Sequence, residues 1–389
     1  MKIAYVLDDL DAAGGIQAVT RAKAAALAAI PGNEVVLVTA NDSRQTASSL
    51  PQGVKVVHLG VNYYEDDWKG FLYVLKGILV RRRRHARALR SVLDELEPDI
   101  VISVGQSEKF MIPRLSRNRS WKTVREFHYS GTYRKDYARL QGGLRARLVA
   151  AVSDFYEFGL GKGSYDATVV LTRQDREENW RGKNGVHVIP NPCILRPERT
   201  SALECRRAVA VGRLVPVKGF NLLVQAWEKV AAVHPDWELE IWGDGPERNA
   251  LERLIREKGL HGKVFLRGVT GDVQGRLLQS SMLVFSSLFE GFGMVLVEAM
   301  ACGVPCVAFQ CPCGPRDVIS TEKDGLLVPP GDTEQLAAAM IRLMEQPELR
   351  RRMGAAARGK AAQYALDAIA VRWMDLFREL TSNQQHQSF

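Results

Sequence analysis

The feature that most limits what this chain can fold into is a series of short, β-branched segments spaced by helical stretches. Ile3–Leu7 comes first, followed by a glycine turn and an Ala-rich helical stretch from about Ile16 to Ile30. Glu34–Thr39, Lys55–Leu59, Asp99–Val104, Thr123–Phe127, Ala167–Thr172 and Val186–Ile189 continue the series. Most of these segments lack a strict apolar–polar alternation, so both faces are expected to be buried. That points to a parallel sheet covered by helices on both sides.

Around Ile189-Pro190-Asn191-Pro192 two prolines stiffen the chain, and a second strand–helix series starts at Ala208–Val211. It runs through Glu238–Trp242, Val264–Leu266, Met282–Phe285, Pro305–Phe309 and Leu326–Val328. The fold class expected is therefore α/β, with two doubly wound parallel-sheet domains facing a cleft. The expected boundaries are 1–190 for the first domain and 191–365 for the second. Residues 366–389 are expected to form a helix packing back on the first domain, followed by a polar tail. Two such domains imply a ligand between them, at the C-terminal ends of the strands.

Composition narrows the class. With 46% hydrophobic and 25% charged residues, global disorder is excluded. The longest apolar run, Phe71–Val80, is interrupted by Lys76 and falls well short of the roughly 20 residues a membrane span needs. The apolar start, Met1 to Leu7, is too short for a signal peptide, so a cytoplasmic protein is expected. Cys302, Cys306, Cys311 and Cys313 crowd one stretch but form no paired C-x-x-C units, which favours reduced thiols over zinc.

The net charge of +9 is concentrated: residues 81–147 hold 17 Lys and Arg against 7 Asp and Glu. Its centre is Arg81-Arg82-Arg83-Arg84, directly after the apolar stretch that contains Phe71, Leu72, Leu75 and Ile78. Apolar residues beside a basic cluster suit an anionic membrane surface, where each cation adds about 1 kcal/mol. A solvated helix face has the same composition. Nucleic acid is not expected as a partner, because no recognised binding motif accompanies the charge.

Familiar phosphate motifs are missing. No G-x-x-x-x-G-K-[ST] occurs, Gly161-Lys162-Gly163-Ser164 has the wrong order, and no G-x-G-x-x-G follows the first strand. The informative segment is Phe289-Glu290-Gly291-Phe292-Gly293-Met294-Val295-Leu296-Val297-Glu298. Here a strand feeds a glycine-containing loop that opens an apolar helix, whose free N–H groups and dipole favour a diphosphate. A carboxylate accepts two hydroxyl hydrogen bonds, so Glu290 and Glu298 each suit a sugar or ribose diol. Gly212-Arg213 and Lys218-Gly219, either side of a short loop after another strand, put two cations where a diphosphate needs neutralising.

At this point the sequence resembles the family-4 retaining glycosyltransferases of the GT-B fold, in which two Rossmann-like domains face each other. The resemblance is carried by Gly14-Gly15, His128, Asn191-Pro192, Gly212-Arg213 with Lys218-Gly219, Gly243-Asp244-Gly245-Pro246, the Glu290–Glu298 spacing and Asp324-Gly325-Leu326-Leu327-Val328-Pro329. It implies that Arg213 and Lys218 grip the donor diphosphate, beside Gly212. It also implies that Glu290 meets the sugar hydroxyls and Glu298 the ribose diol. Gly291, Phe292, Gly293, Met294, Val295 and Leu296 would supply backbone amides, Gly268 and Val269 would complete the donor site, and Gly15 would let the diphosphate approach. His128 would contact the transferred sugar. Arg213, Lys218, Glu290 and His128 form the implied catalytic set.

The mechanism implied is front-side: the leaving diphosphate helps deprotonate the acceptor hydroxyl, and configuration is retained. Cys311-Pro312-Cys313-Gly314-Pro315-Arg316-Asp317 is similar to a stretch of bacterial envelope-polysaccharide transferases, many of which use UDP-hexose or UDP-N-acetylhexosamine. The expected donor is a UDP-sugar and the expected acceptor a saccharide or lipid-linked saccharide, with no cofactor. Asp9-Leu10-Asp11 spells D-x-D, but its place on the acceptor side argues against a metal, and none is expected. Two alternatives stay open: a nucleotide-sugar 2-epimerase of the same fold, and a basic membrane- or nucleic-acid-binding module.

Overall fold

The computed structural model describes residues 1–10, 15–41, 53–62, 71–131 and 164–382, with 71–79 as backbone only. Several features singled out above lie outside that range: Gly14, Asp11, Gly161 to Gly163, the side chains of Phe71, Leu72, Leu75 and Ile78, the charges of residues 132–147, and the end of the tail from residue 383.

Among the described residues, seven strands build the first sheet: β1 (Lys2–Leu7), β2 (Glu34–Thr39), β3 (Val54–His58), β4 (Ile100–Ser103), β5 (Lys122–Glu126), β6 (Ala167–Val170) and β7 (Val186–Val188). Their order is β3-β2-β1-β4-β5-β6-β7, and every pairing is parallel. The second sheet has β8 (Arg207–Val211), β9 (Glu238–Trp242), β10 (Val264–Gly268), β11 (Met282–Phe285), β12 (Cys306–Phe309) and β13 (Gly325–Val328), in the order β10-β9-β8-β11-β12-β13. It too is parallel throughout. This is the GT-B arrangement of two doubly wound sheets.

The absence of alternation has its expected cause. In β1, Ile3, Tyr5 and Leu7 pack into one core while Ala4 and Val6 pack into another on the opposite face. In β11, Met282 and Val284 face one core and Leu283 and Phe285 the other. Successive side chains of a strand point to opposite faces, so a strand between two helical layers is expected to be apolar at most positions on both faces.

The strand order reverses once in each sheet, between β1 and β4 and between β8 and β11. A crevice opens at such a switch point, beyond the carboxyl ends of the strands. After the second domain the chain crosses back: Cys193 N donates to Tyr364 O at 2.7 Å. The helix Leu366–Ser382 then lays Ile369, Trp373 and Phe377 into the core that holds Ile3 and Tyr5. The domains also touch at the Arg173–Asn179 helix, whose first amides, Arg173 N and Gln174 N, donate to Asp317 at 2.8 and 3.3 Å.

The basic run lies within a single helix, Phe71–Leu96. Arg82, Arg83, Arg84, Arg87 and Arg90 are exposed, whereas His85, Leu89 and Leu93 are buried on the face toward the sheet. Burial holds the His85 imidazole down at about 4 despite the pull of Asp8. No described helix is long and apolar enough to cross a membrane.

Candidate active site

The β8/β11 switch point collects most of the residues singled out in the second domain. Three loops are pressed together at the ends of β8, β9 and β10. Gly212 N donates to Trp242 O at 2.9 Å, Gly243 N to Gly268 O at 2.7 Å, and Leu214 N to Asp244 O at 2.9 Å. Gly243 has φ +144°, and a Cβ there would stand 1.9 Å from the Gly212 carbonyl oxygen, so no side chain is possible at that position. On the rim, Gly268 opens onto free space and Val269 is 78% exposed.

Lys218 ends a short 3-10 turn, Pro216–Lys218, that is tied to the end of β11. Ser286 Oγ donates to Lys218 O at 2.9 Å and Leu288 N to Val217 O at 2.8 Å. With that backbone held, the Lys218 ammonium donates to Glu290 Oε1 at 2.5 Å, and the two side chains keep 24% and 14% of their surface. Arg213, on the loop after β8, is exposed.

The helix Met294–Ala301 starts behind Gly293, which is left-handed at φ +84°. Leu296 N closes on the Gly293 carbonyl at 3.0 Å, and the amides just before it are the free donors of a helix N-terminus. The side chains of Phe292, Val295 and Leu296 lie in the core, so these residues can serve a ligand only through their backbone. Glu298, one turn further, has its carboxyl pushed up to about 7 by burial, and no cation offsets that shift. A buried carboxyl without a cation suits a neutral diol as its partner.

The first domain supplies the other wall. A Cβ on Gly291 would stand 2.3 Å from the His128 carbonyl oxygen, so only glycine permits this approach between the domains. His128 thus lies against the Gly291 loop by its backbone. Its imidazole is 2% exposed, with Nε2 3.2 Å from Glu126 Oε1 and Nδ1 buried without a hydrogen-bond partner. Gly15 opens the Gly15–Ala28 helix, and a Cβ there would meet nothing within 4 Å.

Asp8 and its loop show where sequence reasoning missed a contact. Asp8 accepts from Gln106 N at 2.9 Å and Ser107 Oγ at 2.5 Å, clamping the loop after β4 beside the β1/β4 switch point. Among the described residues no three His, Cys, Asp or Glu side chains converge as a metal site. The six cysteines are free thiols, and burial pushes Cys302 up to about 12 and Cys306 higher still.

The chain matches the family model described as Glycosyl transferase 4-like domain over residues 14–192, and that described as Glycosyl transferases group 1 over residues 195–360. It is 30% identical over 345 residues to the lipopolysaccharide core biosynthesis glycosyltransferase LpsD of Rhizobium meliloti, covering 83% of this chain and 98% of that protein. It is 39% identical over 226 residues to an exopolysaccharide phosphotransferase of Streptomyces coelicolor, which covers 56% of this chain but only 24% of that longer protein. The fold is similar to that of Anabaena HepE in complex with UDP-glucose, with a TM-score of 0.73, 18% identity, and coverage of 97% of this chain and 100% of that one. Sheet order, cleft and sequence agree, and the chain belongs to the family-4 glycosyltransferases of GT-B fold.

Proposed function

We propose that this glycosyltransferase moves a hexose or N-acetylhexosamine from a UDP-sugar to a saccharide or lipid-linked saccharide, with retention of configuration, in envelope polysaccharide or glycolipid synthesis. The observation that carries the reading is the Lys218–Glu290 pair in front of the Met294–Ala301 helix, at the switch point of the second sheet. A diphosphate placed there meets Lys218, Arg213 and the helix amides. A ribose diol meets Glu298, and the sugar meets Glu290. The complex of HepE with UDP-glucose and the polysaccharide role in the name of LpsD favour this donor and this pathway class.

In the reaction the protein mainly stabilises charge that develops on the leaving diphosphate. The backbone that carries Lys218 and the amides around Gly293 are held in place beforehand, so they cost little reorganisation when the bond breaks. The leaving oxygen takes the acceptor proton on the same face. His128 completes the sugar side, and its unpartnered Nδ1 is the atom a sugar hydroxyl would satisfy. The exposed row Arg82, Arg83 and Arg84 supports work at an anionic membrane surface that presents the acceptor.

The test is a panel of UDP-, GDP- and ADP-sugars followed by NMR of the product's anomeric proton. Turnover of a UDP-sugar with retained configuration is expected. Preference for another nucleotide, or inversion, would overturn the reading.

A further inference from the structure

Lys23, Glu126 and His128 form a row of polar side chains whose exposures are 2%, 1% and 2%. The Lys23 ammonium donates to Glu126 Oε1, and the same oxygen faces His128 Nε2 at 3.2 Å, close enough for an ion pair though not aligned as a hydrogen bond. Lys23 lies on the buried stripe of the Gly15–Ala28 helix with Val19, Thr20, Ala24 and Leu27. Glu126 is the last residue of β5. The ammonium is walled in by the rings of Tyr5 and Trp373, 5.9 and 5.0 Å from their centroids.

A buried ion pair is at best neutral against apolar residues of the same size, so stability does not explain why a core stripe contains a lysine. Conflicts between local pattern and global fold concentrate at functional sites. Burial pushes the Glu126 carboxyl up, but the Lys23 ammonium and then His128 outweigh it and hold it well below the ordinary carboxylate value. An ionised carboxylate only accepts hydrogen bonds. The imidazole atom that faces it must therefore carry a proton, which leaves Nδ1 as the variable position.

We infer that Lys23 and Glu126 are positioning residues for His128: Lys23 anchors Glu126, and Glu126 fixes the imidazole with Nε2–H inward and Nδ1 directed to the sugar. The pair also links the helix that begins at Gly15, on the diphosphate side, to the His128 backbone that abuts Gly291. The inference rests on the reading of His128 as a donor-site residue.

The experiment is long-range 1H–15N NMR of the full chain labelled with 15N-histidine, with the His128 signal assigned through His128→Gln. In its neutral form the ring should show one tautomer, protonated at Nε2. In Lys23→Met/Glu126→Leu, which replaces the pair by apolar side chains, both tautomers should appear, and kcat should fall about tenfold or more with the donor KM within about twofold. If that variant fails to melt cooperatively, Glu126→Gln, nearly isosteric and uncharged, is read in the same way. A single Nε2–H tautomer and normal kcat in the folded variant would overturn the inference. A wild-type protein that shows the locked tautomer but transfers no sugar would sink the proposed function and leave the positioning of the ring standing.

Discussion

Lys218 Nζ and Glu290 Oε1, 72 residues apart in sequence, meet at 2.5 Å in front of a helix N-terminus. On the proposed function a diphosphate-sugar would use these two side chains separately, the cation at the phosphate and the carboxylate at the sugar hydroxyls. Donor binding would then exchange one ion pair for two sets of ligand contacts, and each residue should matter more to the reaction than to the fold.

Lys218→Ala and Glu290→Gln should each lower turnover by about tenfold or more, because each removes charge that is matched to the transition state. Melting should change little, since both side chains keep access to water and such pairs contribute on the order of 1 kcal/mol or less. Steady-state kinetics beside thermal unfolding of the same preparations checks both halves. Near-normal transfer by either variant would remove it from the catalytic set.

Donor affinity should rise with pH through the range of Glu298. Its carboxyl is held up to about 7 by burial, and the ionised form is the one that accepts two hydroxyls. The diphosphate of a nucleotide-sugar is a diester with no titration of its own in this range. Calorimetric titration between about pH 6 and 8 should show tighter binding at the alkaline end, and Glu298→Gln should flatten the curve. The sign for stability is opposite. Between about 4.5 and 7 the folded chain keeps a proton that the unfolded chain has lost, so this residue's contribution declines as pH rises through that window.

Transfer should continue in EDTA. Arg213 and Lys218 supply two positive charges at the expected diphosphate, and these stand where a divalent cation would otherwise be required. Complete loss of activity that Mg²⁺ restores would show that Asp9 and its neighbourhood were misjudged.

Reversing Arg82, Arg83 and Arg84 to Glu should release the protein from anionic vesicles without weakening donor binding. All three are exposed on a helix of the first domain, whereas β8 and β11 belong to the second sheet. Binding by the unaltered protein should weaken with added salt, as surface attraction is screened over about 8–10 Å at physiological ionic strength. Sedimentation that is equal with neutral and anionic vesicles would make the run an ordinary solvated face.

Strands were legible because β1 and its kin are apolar on both faces, and the Glu290–Glu298 segment was legible because loop, glycines and helix are contiguous. What depends on distant residues was not. Gly291 reads as a loop glycine that supplies a backbone amide; that the His128 carbonyl of the other domain packs against it appears only in the fold. Asp317 reads as an ordinary charge, yet it caps a helix of the other domain. Lys23 offered a signal, a charge on the stripe formed by Val19, Ala24 and Leu27, but its partner lies 103 residues away. The apolar stretch before Arg81 and the basic run after it proved to be one helix, with His85 on its inner face.

The last helix also imposes a schedule on biosynthesis. Ile369, Trp373 and Phe377 share a core with Ile3, Tyr5 and Leu37, but they leave the ribosome only after the whole second domain has been made. The cores of that second domain draw almost entirely on residues between 203 and 364 and can close as soon as those emerge. Domains commonly fold in order of synthesis. Here the half that is translated first must wait with part of its core uncovered, and a ribosome stalled before Leu366 would hold a finished second domain joined to an unfinished first one.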